Sequence, residues 1–233
     1  CSPDIVRDMH QIVKSITGVH DPYKEIKQRD MNVARSSSPL LTSFLKQKNN
    51  DLYWALKIAA TGNIIDSALF IDGTTEDIIA KELERDFAHC DIELFKEKLK
   101  AAKRILIIGD NAGETFFDYV LIKRLAGFEI TYAVRSRPII NDATMEDAIE
   151  SGISSYASII STGCGAPGAI LEECSTQFKD NFNAADIVIS KGQGNYEALS
   201  DCRRPVFFLL KAKCKMISDS LNVGLNDYVF KHV

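Results

Sequence analysis

Apolar positions along this chain follow two rhythms, and the change between them falls near residue 100. In the first hundred residues they recur every three or four positions, the spacing of one helix face. Ile5, Met9, Ile12, Val13 and Ile16 line such a face after the cap-and-proline start Ser2-Pro3, and Gly18 ends it. Asp21-Pro22 opens a second helix to about Val33, and Ser38-Pro39 a third, short one. Asp51 caps a fourth, which carries Trp54, Leu56 and Ile58 and stops at Gly62. Residues 75–87 and 91–100 read as two further helices, charged on one side. No strand is predicted before residue 103.

Beyond that point short apolar runs appear at 105–108, 129–134, 156–160, 186–189 and 206–210, with helical or turn segments between them. Strands alternating with helices give a parallel sheet with right-handed crossovers. The expected fold is therefore α/β. An all-helical N-terminal lobe (1–100) packs on a C-terminal lobe (101–233) whose mainly parallel sheet is flanked by helices.

The stretch 104–114, Arg-Ile-Leu-Ile-Ile-Gly-Asp-Asn-Ala-Gly-Glu, carries the most information. Its apolar run suits a strand buried on both faces, and from Ala112 onward Phe117, Val120, Leu121 and Leu125 keep helical spacing. Asp110 and Asn111 then stand at the carboxyl end of a parallel strand, where ligands bind in open sheets. Asn111 with Glu114 three residues on also fits a helix cap with its capping-box partner, but that leaves Asp110 without a role. The glycines make no dinucleotide fingerprint.

Three further polar turns follow predicted strands: Asn141-Asp142-Ala-Thr144, Ser161-Thr162-Gly163-Cys164-Gly165, and Lys191-Gly192-Gln193-Gly194-Asn195. Each alone suits a cap or a turn. In a parallel sheet they converge on one edge, bringing carboxylates, carboxamides, hydroxyls and a lysine together. Two bare carboxylates about 4 Å apart repel by roughly 4 kcal/mol at an effective dielectric of 20, so such a cluster calls for a cation. Oxygen donors select a hard ion such as Mg²⁺ or Mn²⁺. Lys191 between flexible neighbours suits a phosphate oxygen, and metal, acids and lysine together point to phosphoryl chemistry.

Bulk properties narrow the classes. The 233 residues suffice for one large domain or two lobes, and 45% hydrophobic with 26% charged residues is ordinary for a globular protein. A net charge of -4 argues against nucleic acid as a partner, and no apolar run reaches the roughly 20 residues that span a bilayer. The six cysteines make no Cys-x-x-Cys, so reduced thiols in a cytoplasm are expected. The chain opens on Cys1, so the lack of an N-terminal signal carries little weight.

Residues 109–114 (Gly-Asp-Asn-Ala-Gly-Glu), 141–144 (Asn-Asp-Ala-Thr) and 190–197 (Ser-Lys-Gly-Gln-Gly-Asn-Tyr-Glu) resemble the signature motifs of the metal-dependent damage-control phosphatases. This ARMT-like family was formerly a domain of unknown function. Residues 18–27, with Asp21-Pro22-Tyr23-Lys24, and 62–66 (Gly-Asn-Ile-Ile-Asp) resemble its stand-alone prokaryotic branch. The resemblance implies a helical lobe on an α/β lobe with the site between them. It implies metal ligands at Asp110, Asn111 and Asp142, a phosphate-facing Lys191, and cleft residues Asn63 and Asp66. Glu114 joins Asp110 and Lys191 as a candidate catalytic residue, and Thr162 and Asn195 join the substrate candidates. The implied cofactor is one divalent ion, Mn²⁺ or Mg²⁺, with Co²⁺ or Ni²⁺ also compatible. The implied reaction is hydrolysis of phosphate monoesters of small metabolites, either sugar phosphates or damaged phosphometabolites. Two departures stand out: the branch's early Cys-x-x-Cys is absent, and so is an acidic residue near Gly165. An adenosyl-cofactor methyltransferase is the competing enzyme reading, and a non-catalytic phosphometabolite-binding protein the competing binding one.

Overall fold

The computed structural model describes residues 2–65 and 74–233, so the candidate Asp66 lies outside the described residues. The chain begins with three helices: α1 (Ser2–Thr17), α2 (Lys24–Gln47) and α3 (Leu52–Thr61). Then come α4 (Thr75–Leu83), β1 (Phe87–Cys90), α5 (Ile92–Leu99), β2 (Arg104–Ile108), α6 (Thr115–Arg124) and β3 (Glu129–Val134). Next are α7 (Met145–Glu150), β4 (Ser158–Ser161), α8 (Thr176–Ala184), β5 (Ile187–Lys191) and α9 (Gln193–Leu199). The described chain finishes with β6 (Phe207–Lys211), α10 (Lys215–Leu221) and β7 (Tyr228–His232).

Among the described residues the strands form one seven-stranded sheet in the order β1-β7-β6-β5-β2-β3-β4. All neighbours are parallel except β6 and β7. The central strands are apolar throughout because both faces are covered. Ile105 and Ile107 of β2, with Tyr132, Ile189, Phe207 and Phe230, face the core shared with α2, α3 and α6. The alternate residues Leu106 and Ile108, with Val188 and Phe208, face a second core that includes Phe178, Leu199 and Ile217. The strand order reverses between β2 and β5, whose carboxyl ends therefore open the crevice where such sheets bind ligands.

Two local expectations need correction. A strand does precede residue 103: β1 pairs with β7 from the last residue of the expected 75–87 helix through the gap before the next one. The second and third predicted helices are one, with Pro39 inside it. Proline removes one ladder bond, but Met31, Ala34, Leu41 and Leu45 bury one stripe on both sides of it. The Ser37 and Ser38 hydroxyls also donate to the Val33 and Ala34 carbonyls. The apolar face of α1 stays largely exposed, with Ile16 79% accessible. Helix α3 ends at Gly62 as expected, and the chain then tightens into a 3-10 turn, Gly62–Ile64.

Gly62 serves a further purpose. A Cβ there would stand 2.9 Å from Phe117 Cγ and 3.3 Å from Glu114 Cα, so glycine lets α3 press against the start of α6. Gly62→Ala should therefore cost about 1–3 kcal/mol, as overpacking does. Urea unfolding checks this; a change within about 0.5 kcal/mol would mean the contact yields without strain.

Candidate functional site

The site is built where two loops zip together beyond the ends of β2 and β3. The Ala143 amide donates to the Asp110 carbonyl (2.8 Å), and the Ala112 amide donates to the Asn141 carbonyl (2.8 Å). Asn111 and Asp142 form an isolated antiparallel bridge between these bonds. The expected trio of Asp110, Asn111 and Asp142 is thus adjacent, and all three line one open pocket of about 260 Å³. Asn63 reaches the same pocket from the 3-10 turn, and Ile140, Gln193, Glu197 and Lys213 contribute to its walls. Ile140 has φ +44°, a strained conformation for a β-branched residue.

Neither bland cap explains these residues. Helix α6 starts at Thr115, and the Asn111 amide nitrogen donates to Glu114 Oε1 (3.1 Å) instead of the side chain capping a backbone group. Helix α7 is capped by Thr144, whose amide and hydroxyl both donate to Asp147 Oδ2 at 2.7 Å. Asp142 instead accepts from Arg135 Nε (2.6 Å), an ion pair buried on both sides.

Below the pocket lies a second tier. Glu114 Oε1 also accepts from Asn63 Nδ2 (2.7 Å), and its Oε2 from Lys191 Nζ (2.6 Å). The same ammonium meets Asp118 Oδ1 at 2.5 Å, and the Tyr132 hydroxyl donates to Asp118 Oδ2 (2.7 Å). Lys191 was expected to face a phosphate. Instead it is 1% exposed and held between two carboxylates, because β5 carries it inward under the Gly109 turn. A Cβ at Gly109 would fall 2.5 Å from the Tyr132 hydroxyl, so that glycine makes room for the buried tier.

Two other substrate candidates sit behind the pocket wall. Asn195 donates to the carbonyls of Gly109 (3.0 Å) and Lys191 (2.7 Å) and accepts from the Ala169 amide (3.0 Å), tying β2 to β5. Thr162 is fully buried, and its hydroxyl is engaged with the Cys164 backbone. Both side chains are engaged in structural bonds in this arrangement. Asp118, Tyr132 and Arg135 were not singled out from sequence. Asp118 had a signal, since it lies one helical turn after Glu114. Arg135 had one too, since it directly follows β3.

Charge in this cluster is unbalanced. Four buried carboxylates (Asp110, Glu114, Asp118, Asp142) share two buried cations (Lys191, Arg135). Burial, then Glu114 and Asp142, hold the Asp110 carboxyl well above its ordinary range. Burial also raises Asp142, though Arg135 partly offsets it. Burial pushes Asp118 up to about 6, with Lys191 opposing and Glu114 adding to the rise. Burial works against the charged Lys191, but Asp118 and Glu114 outweigh it and keep the ammonium charged.

This excess of carboxylate fits a divalent cation at Asp110, Asn111 and Asp142. Among the described residues no group of three or more His, Cys, Asp or Glu side chains could hold a metal. A cation here therefore needs the Asn111 oxygen as its third protein donor. That set is all oxygen and suits a hard ion. Gly192 belongs to the same cradle: with φ +80°, it lies so close to Asp110 that a Cβ would fall 2.0 Å from Oδ2.

Comparison with known proteins identifies relatives of this chain. A family model described as the damage-control phosphatase ARMT1-like domain matches residues 3–229. A damage-control phosphatase of Pyrococcus horikoshii is 37% identical over 211 residues, covering 88% of this chain and 72% of that protein. One of Archaeoglobus fulgidus is 33% identical over 233 residues, covering 97% of this chain and 80% of the relative. The crystal structure of a DUF89 family protein from Pyrococcus horikoshii superposes with a TM-score of 0.86 at 35% identity. It covers 95% of this chain and 78% of that one.

Proposed function

Since the chain belongs to the damage-control phosphatase ARMT1-like family, we propose that it hydrolyses phosphate monoesters of small metabolites, such as sugar phosphates or damaged phosphometabolites, using one divalent cation. The observation that carries this reading is the meeting of Asp110, Asn111 and Asp142 on one polar pocket at the switch point of the sheet, with carboxylate in excess. Bound there, Mn²⁺ or Mg²⁺ would supply Lewis-acid stabilisation of charge on the phosphoryl oxygens.

The chain's own groups divide the remaining work. Arg135 orients Asp142 through Nε, and Glu114 turns the amides of Asn63 and Asn111 toward the pocket. Lys191 is then a positioning residue, since its ammonium holds Glu114 Oε2 in place. Asn63 Oδ1 is buried with no hydrogen-bond partner among the described residues, and so offers an acceptor to a substrate hydroxyl. Asp110 would either attack phosphorus itself, breaking the P–O ester bond to give the alcohol and an aspartyl-phosphate that water then cleaves, or direct an attacking water. A volume near 260 Å³ admits a metabolite rather than a polymer. Among the described residues no helix is long and apolar enough to cross a membrane, and a small phosphorylated metabolite is the partner we propose.

Hydrolysis of p-nitrophenyl phosphate by protein treated with EDTA, before and after adding Mn²⁺ or Mg²⁺, tests the reading. Activity restored by the metal is expected, followed by a clear ranking among sugar phosphates. No hydrolysis with Mg²⁺, Mn²⁺, Co²⁺ or Ni²⁺ on either substrate class would overturn it.

A further inference from the structure

A second cavity, of about 530 Å³, is lined by Arg135 and shares no lining residue with the carboxylate pocket. Its walls come from the start of α2, the 135–138 loop and the start of α7. Arg135 contributes to them while 2% exposed, and its guanidinium is only partly satisfied. Nε donates to Asp142, but Nη1 and Nη2 are buried with no hydrogen-bond partner among the described residues. A buried guanidinium with two unmatched nitrogens is costly unless an acceptor meets them. Lys24 and Arg137 stand exposed on the same cavity, and neither side chain makes an ion pair or hydrogen bond among the described residues.

The acids on this cavity do not supply that acceptor. Asp147 is taken by Lys27 (2.6 Å) and by Thr144, and Glu150 is paired with Arg35. Asp21 accepts from the Tyr23 amide (3.1 Å). Asp21, through its other oxygen, and the exposed Glu146 remain against the cations of Arg135, Arg137 and Lys24. These three cations outnumber the two acids, and Arg135 offers a planar fork at depth with two exposed cations on the same cavity. A planar fork matches the paired oxygens of a phosphate or carboxylate.

We propose that this cavity is a second anion site, in which Arg135 Nη1 and Nη2, with Lys24 and Arg137 at the mouth, bind a phosphate or carboxylate group. The guanidinium that would hold the anion is the one that orients Asp142, so occupancy here is linked to the carboxylate pocket. The inference does not depend on the phosphatase reading, because binding can be measured without turnover.

The test is calorimetric titration of inorganic phosphate into EDTA-treated protein, so that no metal contributes. Saturable 1:1 binding is expected. It should be weakened at least tenfold in Lys24→Ala/Arg137→Ala, whose substitutions are exposed and should leave the melting curve in place, and be retained in Asp110→Asn. Absence of binding to the unmodified protein would mean that water alone satisfies Arg135, and would overturn the proposal. Equal affinity in the double variant, or loss of binding in Asp110→Asn, would place the phosphate elsewhere and overturn it too. Kinetics then identify the source of the anion. A KM raised in the double variant only for phosphate esters bearing a second acidic group marks a substrate subsite. Weaker inhibition by inorganic phosphate alone marks a site for free anion.

Discussion

Asp110→Asn is expected to lower kcat/KM for phosphate monoesters by about 10³-fold or more, roughly 4 kcal/mol, without destabilising the metal-free protein. Asn keeps the shape of the side chain and removes its charge. In the pocket that charge is unwelcome until a cation arrives, since burial and the neighbouring Glu114 and Asp142 push the carboxyl well above its ordinary 3.8. An acid whose folded pKa is raised holds its proton longer in the folded state. Its ionisation therefore removes stability as pH rises above about 4. The variant lacks that loss, so it should match the parent near pH 4 and equal or exceed it at pH 7 when metal is absent. Metal reverses the order. A cation at 100 times its Kd adds about 2.7 kcal/mol to the parent, and the variant, missing a charged ligand, should gain far less. Melting curves at pH 7 with EDTA and with Mn²⁺ separate these effects from activity. If Asp110→Asn loses more than about 1 kcal/mol in EDTA, the carboxylate is a structural acceptor and the cation reading fails.

The sequence showed this pocket because its parts sit at the ends of strands buried on both faces. Such strands read as uninterrupted apolar runs: 129–134 was expected and Glu129–Val134 is observed, and 105–108 became Arg104–Ile108. Once a parallel sheet is assumed, the turns after those runs must share an edge, and so Asp110, Asn111 and Asp142 could be grouped. What escaped was set by contacts between distant segments. Strand β1 is four residues with only partial burial, and its partner β7 lies about 140 positions later and carries Lys231 and His232. Neither has the apolar run of a central strand. The unity of α2 was hidden by Pro39, where a local rule for stopping helices lost to a buried stripe on both sides of it. The buried partners of Lys191 were hidden for a related reason. Flexible neighbours pointed to a ligand, but nothing in its local sequence told that Asp118, inside α6, would be its second partner.

That arrangement makes Lys191→Met the most destabilising single change expected in the site. Methionine replaces the length and apolar stem of lysine, so packing changes little and the lost ammonium dominates. Glu114 and Asp118, each 1% exposed, would then face one another in a medium that solvates neither. Removing one partner from a buried ionic cluster costs about 3–5 kcal/mol, because the remaining charges have no compensation. The pH dependence follows from Asp118. Burial already pushes its carboxyl up to about 6 with Lys191 beside it, so without the cation it must rise further. A raised acid favours the folded state while protonated, so the variant should recover stability as pH falls from 7.5 to 5. A second change separates charge from packing. Asp118→Asn in the Lys191→Met background leaves Glu114 with its two amide donors, Asn63 and Asn111, and removes the like charge beside it. It should restore at least 1 kcal/mol at pH 7.5 and flatten the pH response. Urea unfolding of the parent, the single variant and the double variant at both pH values measures all three expectations. A Lys191→Met loss below about 1 kcal/mol, or one equal at both pH values, would show that the ammonium is not what makes the buried carboxylates tolerable. Lys191 would then be open again to a direct role toward the phosphate.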